Sequence, residues 1–125
     1  MKDFRQLGVW TKAHELTLAV YENARGFPAD ERFGLTRQLC RATASIPTNI
    51  AEGCGRSQKD FGRFLIIAMG SASEVEYLLL LSRDLGYLGN SAYESLDRRV
   101  REVKRMLYAL IRRLHSPRMH IPDRP

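Results

Sequence analysis

The spacing of apolar residues along the chain predicts four α-helices and no β-strand. Apolar residues recur at steps of three and four, which places them on one face of each helix. The face of the first helix comprises Val9, Ala13, Leu16, Val20 and Ala24. The face of the fourth comprises Tyr93, Leu96, Val100, Val103, Leu107, Leu110 and Leu114. This pattern is typical of an all-α fold, and we predict an antiparallel up-down-up-down four-helix bundle over residues 1–115.

The second predicted helix contains a proline. Its apolar face comprises Leu35, Leu39, Ala42, Ile46 and Ile50. Pro47 lies inside this pattern and cannot donate a hydrogen bond to the carbonyl of Thr43, at a cost of about 3 kcal/mol in a helix interior. Because the periodicity resumes at Ile50, we predict one helix kinked at Pro47 rather than two helices.

The third predicted helix runs from Gln58 to about Leu88, with Ser57 as its N-cap. It carries a second apolar face, about 100° around the helix from the first. A helix with two apolar faces is buried on both, and a bundle of four helices covers only one of them. We therefore predict a homo-oligomer whose interface contains Ile66, Met69, Ser73 and Leu80.

The fourth helix is predicted to begin at a cap formed by Asn90 or Ser91. Residues 116–125 hold three prolines and little that could be buried. We predict a disordered tail there.

Composition favours a soluble domain, with 44% hydrophobic and 27% charged residues in a chain of 125. No unbroken apolar run approaches the length of about 18 residues that spans a bilayer. The N-terminal residues show no secretion signal. The expected location is the cytoplasm, without a membrane.

The net charge of +6 is concentrated towards the end of the chain, where residues 91–125 carry nine basic and four acidic side chains. On the fourth helix, four arginines share a face about 80° wide, with a tyrosine among them and a lysine beside it. Guanidinium groups next to an aromatic ring bind phosphates and stack on bases. The alternative is an ordinary solvated face, partly neutralised by pairs such as Glu94 with Arg98 and Asp97 with Arg101. The nucleic-acid-binding candidates are Arg98, Arg101, Arg105, Arg112, Tyr108 and Lys104.

Other chemistry finds little support in the sequence. The turn before the third helix lacks the glycine pattern of a nucleotide loop, which leaves a looser anion contact through Arg56 at the helix start. No glutamate has a histidine three residues on, as a ferritin-like metal site requires. Asn49 and Glu52 are expected to satisfy backbone groups freed by Pro47, or to pair with Arg56 or a neighbouring subunit. We predict no metal, no cofactor and no enzymatic activity.

Several sequence runs resemble the four-helix-bundle proteins encoded by intervening sequences of bacterial large-subunit ribosomal RNA genes. The matching positions span most of residues 4–110, and the run Asn-Ile-Ala-Glu-Gly at residues 49–53 is the most specific. The other matching runs are Leu-Gly-Val-Trp at residues 7–10, Ser-Ile-Pro-Thr at 45–48, Arg-Phe-Leu at 63–65 and Leu-Gly-Tyr-Leu at 85–88. The resemblance implies an antiparallel bundle assembled into a ring-like homopentamer, with Asn49, Glu52 and Gly53 in structural roles.

The same runs are similar to the accessory protein of diversity-generating retroelements. That resemblance implies association with a reverse transcriptase or another protein, and with nucleic acid. Together, the charge and the resemblance favour a non-enzymatic homo-oligomer that binds nucleic acid, RNA ahead of DNA. The alternative is a protein-interaction scaffold with no nucleic-acid role.

Overall fold

A computed structural model describes residues 3–115 and shows four α-helices and no strand in that range. The helices are α1 (Gly8–Ala24), α2 (Leu35–Cys54), α3 (Gln58–Asp84) and α4 (Asn90–Leu114). Short 3₁₀ helices over Phe4–Gln6 and Ala29–Glu31 precede α1 and α2. The prediction of an all-α fold with four helices is confirmed. The predicted disordered tail, residues 116–125, lies outside the described residues.

The helices pack as neighbours around one core. α1 and α3 each contact both α2 and α4, an arrangement consistent with a four-helix bundle. All the residues predicted for the apolar faces of α1 and α2 are buried. On α4, Tyr93 and Leu110 are half-buried and the other predicted face residues are buried. The predicted apolar faces therefore form the core.

Pro47 lies inside α2, which continues through it as one helix. The prediction of one helix rather than two is confirmed, and the bend at Pro47 stays a prediction. The carbonyl of Thr43, which Pro47 cannot serve, accepts a hydrogen bond from Oγ1 of Thr17 on α1 at 3.4 Å. Thr17 Oγ1 also lies 2.8 Å from the carbonyl of Ala13. Because a hydroxyl has one proton and the shorter contact is to Ala13, Thr17 replaces only part of the hydrogen bond that the proline removes.

α3 ends at Asp84, one turn before the predicted end at about Leu88. The chain turns there because Gly86 adopts a left-handed conformation with φ of 82°. The amide of Tyr87 then donates to the carbonyl of Ser82 at 2.9 Å. This is the hydrogen bond of a Schellman motif, which needs glycine at its left-handed position.

The predicted cap of α3 is confirmed, because Ser57 Oγ accepts the amide of Asp60 at 3.2 Å. The predicted cap of α4 is wrong. Gly89 occupies the cap position there, and both Asn90 and Ser91 lie inside the helix. Glycine is only slightly poorer than serine or asparagine at an N-cap, so propensity alone does not separate these neighbours.

α3 has the length and average hydropathy of a membrane span, although its apolar residues do not form an unbroken run of that length. An 18-residue window of this helix has a mean hydropathy of 1.7, although serine, glycine and glutamate residues interrupt its apolar residues. Core helices of bundles pass the same test of length and composition. α3 packs between α2 and α4 and buries nine residues there, yet only 33% of that window is buried.

The phenol of Tyr87 joins the two connections at one end of the bundle. Its hydroxyl donates to Glu31 Oε2 at 2.9 Å, and this bond, burial and the charge of Glu31 raise the pKa of Tyr87 above 10.0. Because the fold favours the neutral phenol, its stabilising contribution is present below about pH 10 and is lost as the pH rises further.

We expect Glu31→Gln to lower the pKa of Tyr87, since it removes the charge of Glu31 while keeping an oxygen acceptor. Ultraviolet absorbance of tyrosinate, recorded as a function of pH, measures this pKa. Subtracting the titration of Tyr87→Phe isolates Tyr87 from the other four tyrosines. An identical curve for Glu31→Gln and wild type would contradict the assignment.

Candidate functional site

Three arginines form a row along the outer face of α4. Arg98, Arg105 and Arg112, called here the arginine row, are seven residues apart and exposed. Two helical turns separate successive members, so their Cα atoms lie about 10 Å apart along the helix axis. None of the three pairs with a carboxylate within residues 3–115, and the expected pair of Glu94 with Arg98 does not form. Their charge is therefore available to a ligand.

Two other candidates on α4 are held by acidic side chains. Arg101 Nε lies 2.9 Å from Asp97 Oδ2, as the sequence predicted, and 3.6 Å from Glu76 Oε2 on α3. Lys104 Nζ donates to Glu76 Oε1 at 2.8 Å. These pairs link α3 to α4, and they lower the positive charge that Arg101 and Lys104 present to solvent. Within residues 3–115, Asp97 Oδ1 is buried without a hydrogen-bond partner.

Tyr108 adds an exposed aromatic ring to the face. Its side chain is 58% exposed, and the guanidinium carbon of Arg112 lies 5.8 Å from the ring centroid. An aromatic ring beside a guanidinium group is the combination on which unpaired bases stack. The arginine row and Tyr108 thus combine phosphate-binding groups with one stacking surface.

A shallow groove of about 630 Å³ follows the basic face of α4. Arg99 lines this groove with Arg98, Arg105 and the acidic Glu102, and it also shares a smaller cleft with Lys12 of α1 and two glutamates. The sequence did not predict that Lys12 lies near α4, because that nearness depends on how α1 packs. Because two glutamates line the cleft with Lys12 and Arg99, the cleft is of mixed charge and the basic surface stays on α4.

Arg56 lies in the turn between α2 and α3. Its Nε donates to the carbonyl of Glu52 at 3.0 Å, and its guanidinium carbon is 4.9 Å from the ring centroid of Phe64. Nearby, Gln58 Nε2 donates to the carbonyl of Leu114 at 3.2 Å. The start of α3 therefore meets the end of α4, which places Arg56 at the same end of the bundle as Arg112.

The Asn-Ile-Ala-Glu-Gly run at residues 49–53 makes contacts within the bundle. Asn49 Nδ2 donates to the carbonyl of Ser45 at 2.8 Å and contacts its Oγ at 3.0 Å. Asn49 therefore bonds to Ser45, one turn back along α2, and not to the carbonyl of Thr43. Glu52 is exposed, and its main-chain carbonyl accepts the hydrogen bond from Arg56 Nε. Gly53 is buried against α3, where an added Cβ would lie 2.7 Å from Phe64 Cβ.

The predicted interface residues lie on a face of α3 next to the one that forms the core, and Met69 also packs against the core. Ile66 is 55% exposed, Ser73 is exposed, and Met69 and Leu80 are half-buried. Tyr77 extends the same surface. Ile66, Met69, Tyr77 and Leu80, called here the α3 apolar strip, are left without full cover in a single chain. Their burial by another subunit stays a prediction.

Within residues 3–115, no cluster of His, Cys, Asp or Glu side chains is arranged to hold a metal ion. Cys40 is half-buried, and burial raises the pKa of its thiol. A raised pKa keeps this thiol protonated at neutral pH, the opposite of what a reactive cysteine requires.

Residues 5–109 match the sequence profile of the family described as 23S rRNA-intervening sequence protein. Among solved structures, the chain is similar to a protein of unknown function from the S23 ribosomal protein family of Bacteroides thetaiotaomicron. The two share 28% sequence identity with a TM-score of 0.77, over 83% of this chain and 95% of the other. No functionally curated protein matches the chain.

Proposed function

Since the chain belongs to the 23S rRNA-intervening sequence protein family, we propose that it is a non-enzymatic, homo-oligomeric bundle that binds nucleic acid. The observation that carries the proposal is the arginine row, three exposed guanidinium groups that no carboxylate in residues 3–115 neutralises. Tyr108 beside the row favours RNA over duplex DNA, because RNA exposes unpaired bases in its loops and bulges.

Binding of this kind is mainly electrostatic. Each phosphate that an arginine neutralises releases counterions, so affinity falls as the salt concentration rises. An oligomer multiplies the effect, because several identical rows engage one polyanion and each contact after the first is intramolecular. Arg101 and Lys104 contribute less, since they are already paired with Glu76 and Asp97.

Fluorescence anisotropy of a labelled RNA, recorded at several salt concentrations, tests the proposal. Three phosphate contacts from one chain predict a slope of log affinity against log salt of about −2 for single strands, since each contact contributes roughly −0.7. Duplex DNA of equal length should bind more weakly. A preparation free of nucleic acid that shows no binding even at low salt would contradict the proposal and favour the rival protein scaffold.

We also propose that the helices run antiparallel, with α2 bent at Pro47, and that sister subunits cover the α3 apolar strip in a ring-like assembly, a homopentamer. The strip supports this because it joins exposed Ile66 and Tyr77 to half-buried Met69 and Leu80 along one helix. Monomeric proteins rarely expose large contiguous apolar patches. In this proposal, the high mean hydropathy of α3 reflects burial on two sides, against the bundle core on one side and a sister subunit on the other.

We expect Ile66→Lys to dissociate the assembly, because a buried lysine at a subunit contact must lose its hydration. Light scattering at micromolar concentration measures the mass. Leu18→Lys is the matched control, since Leu18 on α1 is 58% exposed against 55% for Ile66. It should leave the mass unchanged. A monodisperse wild-type monomer would rule out the ring.

A further inference from the structure

A second groove lies between α2 and α3, away from the arginine row. Its volume is about 510 Å³, within the range of about 300–1,000 Å³ typical of ligand sites. Phe33, Arg37 and Arg41 line it on the α2 side, and Ser71 and Glu74 on the α3 side. Because α2 contacts α1 and α3 but not α4, the groove opens on a different surface from the basic face of α4.

Phe33 stands at this groove as the most exposed large apolar side chain in the described part of the chain, at 74%. The guanidinium carbon of Arg32 lies 5.0 Å from its ring centroid. The ring precedes α2 and is absent from the core cluster. A phenylalanine so exposed beside an arginine offers a face on which a planar base can stack.

Two arginines face the same groove without a counter-charge of their own. Arg37 and Arg41 are exposed, one helical turn apart, and make no ion pair within residues 3–115. Like charges at this spacing repel each other. The carboxylate of Glu74 accepts from Gln38 Nε2 at 3.4 Å instead. A phosphate between the two guanidinium groups would relieve the repulsion and accept charge-assisted hydrogen bonds.

We propose that this groove binds one unpaired nucleotide of an RNA strand, with the base on Phe33 and the phosphate between Arg37 and Arg41. Glu74 then accepts a hydrogen bond from an exocyclic amino group of the base. The inference rests on the proposed nucleic-acid binding and adds a preference for single-stranded segments. The arginine row contributes contacts to any phosphate backbone, and the groove discriminates unpaired from paired bases.

Anisotropy titrations with a single-stranded RNA and a blunt RNA duplex of equal length test this preference. Phe33→Ala should weaken single-strand binding about tenfold, the effect of losing one stacked base, and leave duplex binding unchanged. Tyr21→Ala is the matched control, an aromatic on α1 that is 48% exposed, and it should change neither. Arg37→Gln with Arg41→Gln should weaken single-strand binding and flatten its salt slope by about 0.7, because the two arginines share one phosphate.

The outcomes separate this inference from the proposed function. If neutralising the arginine row weakens binding while Phe33→Ala and the Arg37–Arg41 variant do not, the groove is wrong and the proposed function stands. Equal losses of single-strand and duplex binding in Phe33→Ala would also overturn the groove. If adenosine monophosphate displaces the RNA strand at a concentration equal to that of the strand, the groove binds free nucleotides. That result would contradict the proposal. If RNA does not bind the wild-type protein, both the groove inference and the proposed function are wrong.

Discussion

Gly53→Ala is expected to destabilise the bundle by about 2–3 kcal/mol, the upper part of the range for an overpacked core. The new Cβ would lie 2.7 Å from Phe64 Cβ and 3.1 Å from Phe61 Cδ1. Carbon atoms in good contact are about 3.5–4.0 Å apart, so both separations are too short. Phe64 Cβ is fixed to the backbone of α3 and cannot rotate away. The ends of α2 and α3 would therefore have to move apart.

Gly62→Ala is the matched control for this substitution. Gly62 is also buried and helical, but a Cβ there would meet only His115 Cε1, at 3.8 Å, an ordinary contact. Alanine should stabilise α3 at this position by up to about 1 kcal/mol through helix propensity. Urea unfolding of both variants at one protein concentration measures the difference. Equal midpoints for Gly53→Ala and wild type would show that α2 and α3 can separate without cost.

Replacing the three arginines of the row with glutamine is expected to weaken RNA binding at least tenfold at low salt. The variant should also flatten the salt slope by about 2, because each lost phosphate contact removes roughly 0.7. The row arginines have no ion pair to lose within residues 3–115, so the bundle itself should keep its stability. Anisotropy gives the affinity, and urea unfolding checks the fold.

A second triple variant distinguishes the row from net charge. Arg5, Arg25 and Arg63 are exposed arginines that already pair with nearby carboxylates, at 3.1, 3.3 and 3.3 Å. Changing them to glutamine removes the same formal charge from other surfaces. We expect a much smaller loss of RNA affinity. Equal losses in the two triple variants would mean that overall charge, rather than the arginine row, governs binding.

The apolar core was predictable because it depends on local periodicity. Leu16, Ile46 and Leu107 recur with their neighbours at helical spacing, and all three are fully buried. The outward direction of Arg98 and Arg105 follows from the same periodicity. Helix ends were less predictable. The turn at Gly86 ended α3 early, although the apolar pattern continues to Leu88, which is buried beyond the helix.

Contacts between helices could not be predicted, because they depend on how the helices are positioned along one another. The pairing of Lys104 with Glu76 joins residues 28 positions apart. Lys104 was expected to contact a nucleic acid, and it instead forms an ion pair within the bundle. The α2–α3 groove was missed for the same reason, since its lining comes from a loop and two helices. Its one local signal was the pair Arg37 and Arg41, one turn apart with no acidic residue between them.

The hydrogen bond from Thr17 to the carbonyl of Thr43 has a consequence for how the chain can vary in length. Inserting one residue into α1 ahead of Thr17 would either rotate this hydroxyl by about 100° or displace the first turns of the helix. A buried carbonyl left without its donor costs about 1–3 kcal/mol. Pro47 prevents α2 from supplying a substitute. Insertions and deletions among related chains should therefore fall in the connection at residues 25–34 rather than inside α1.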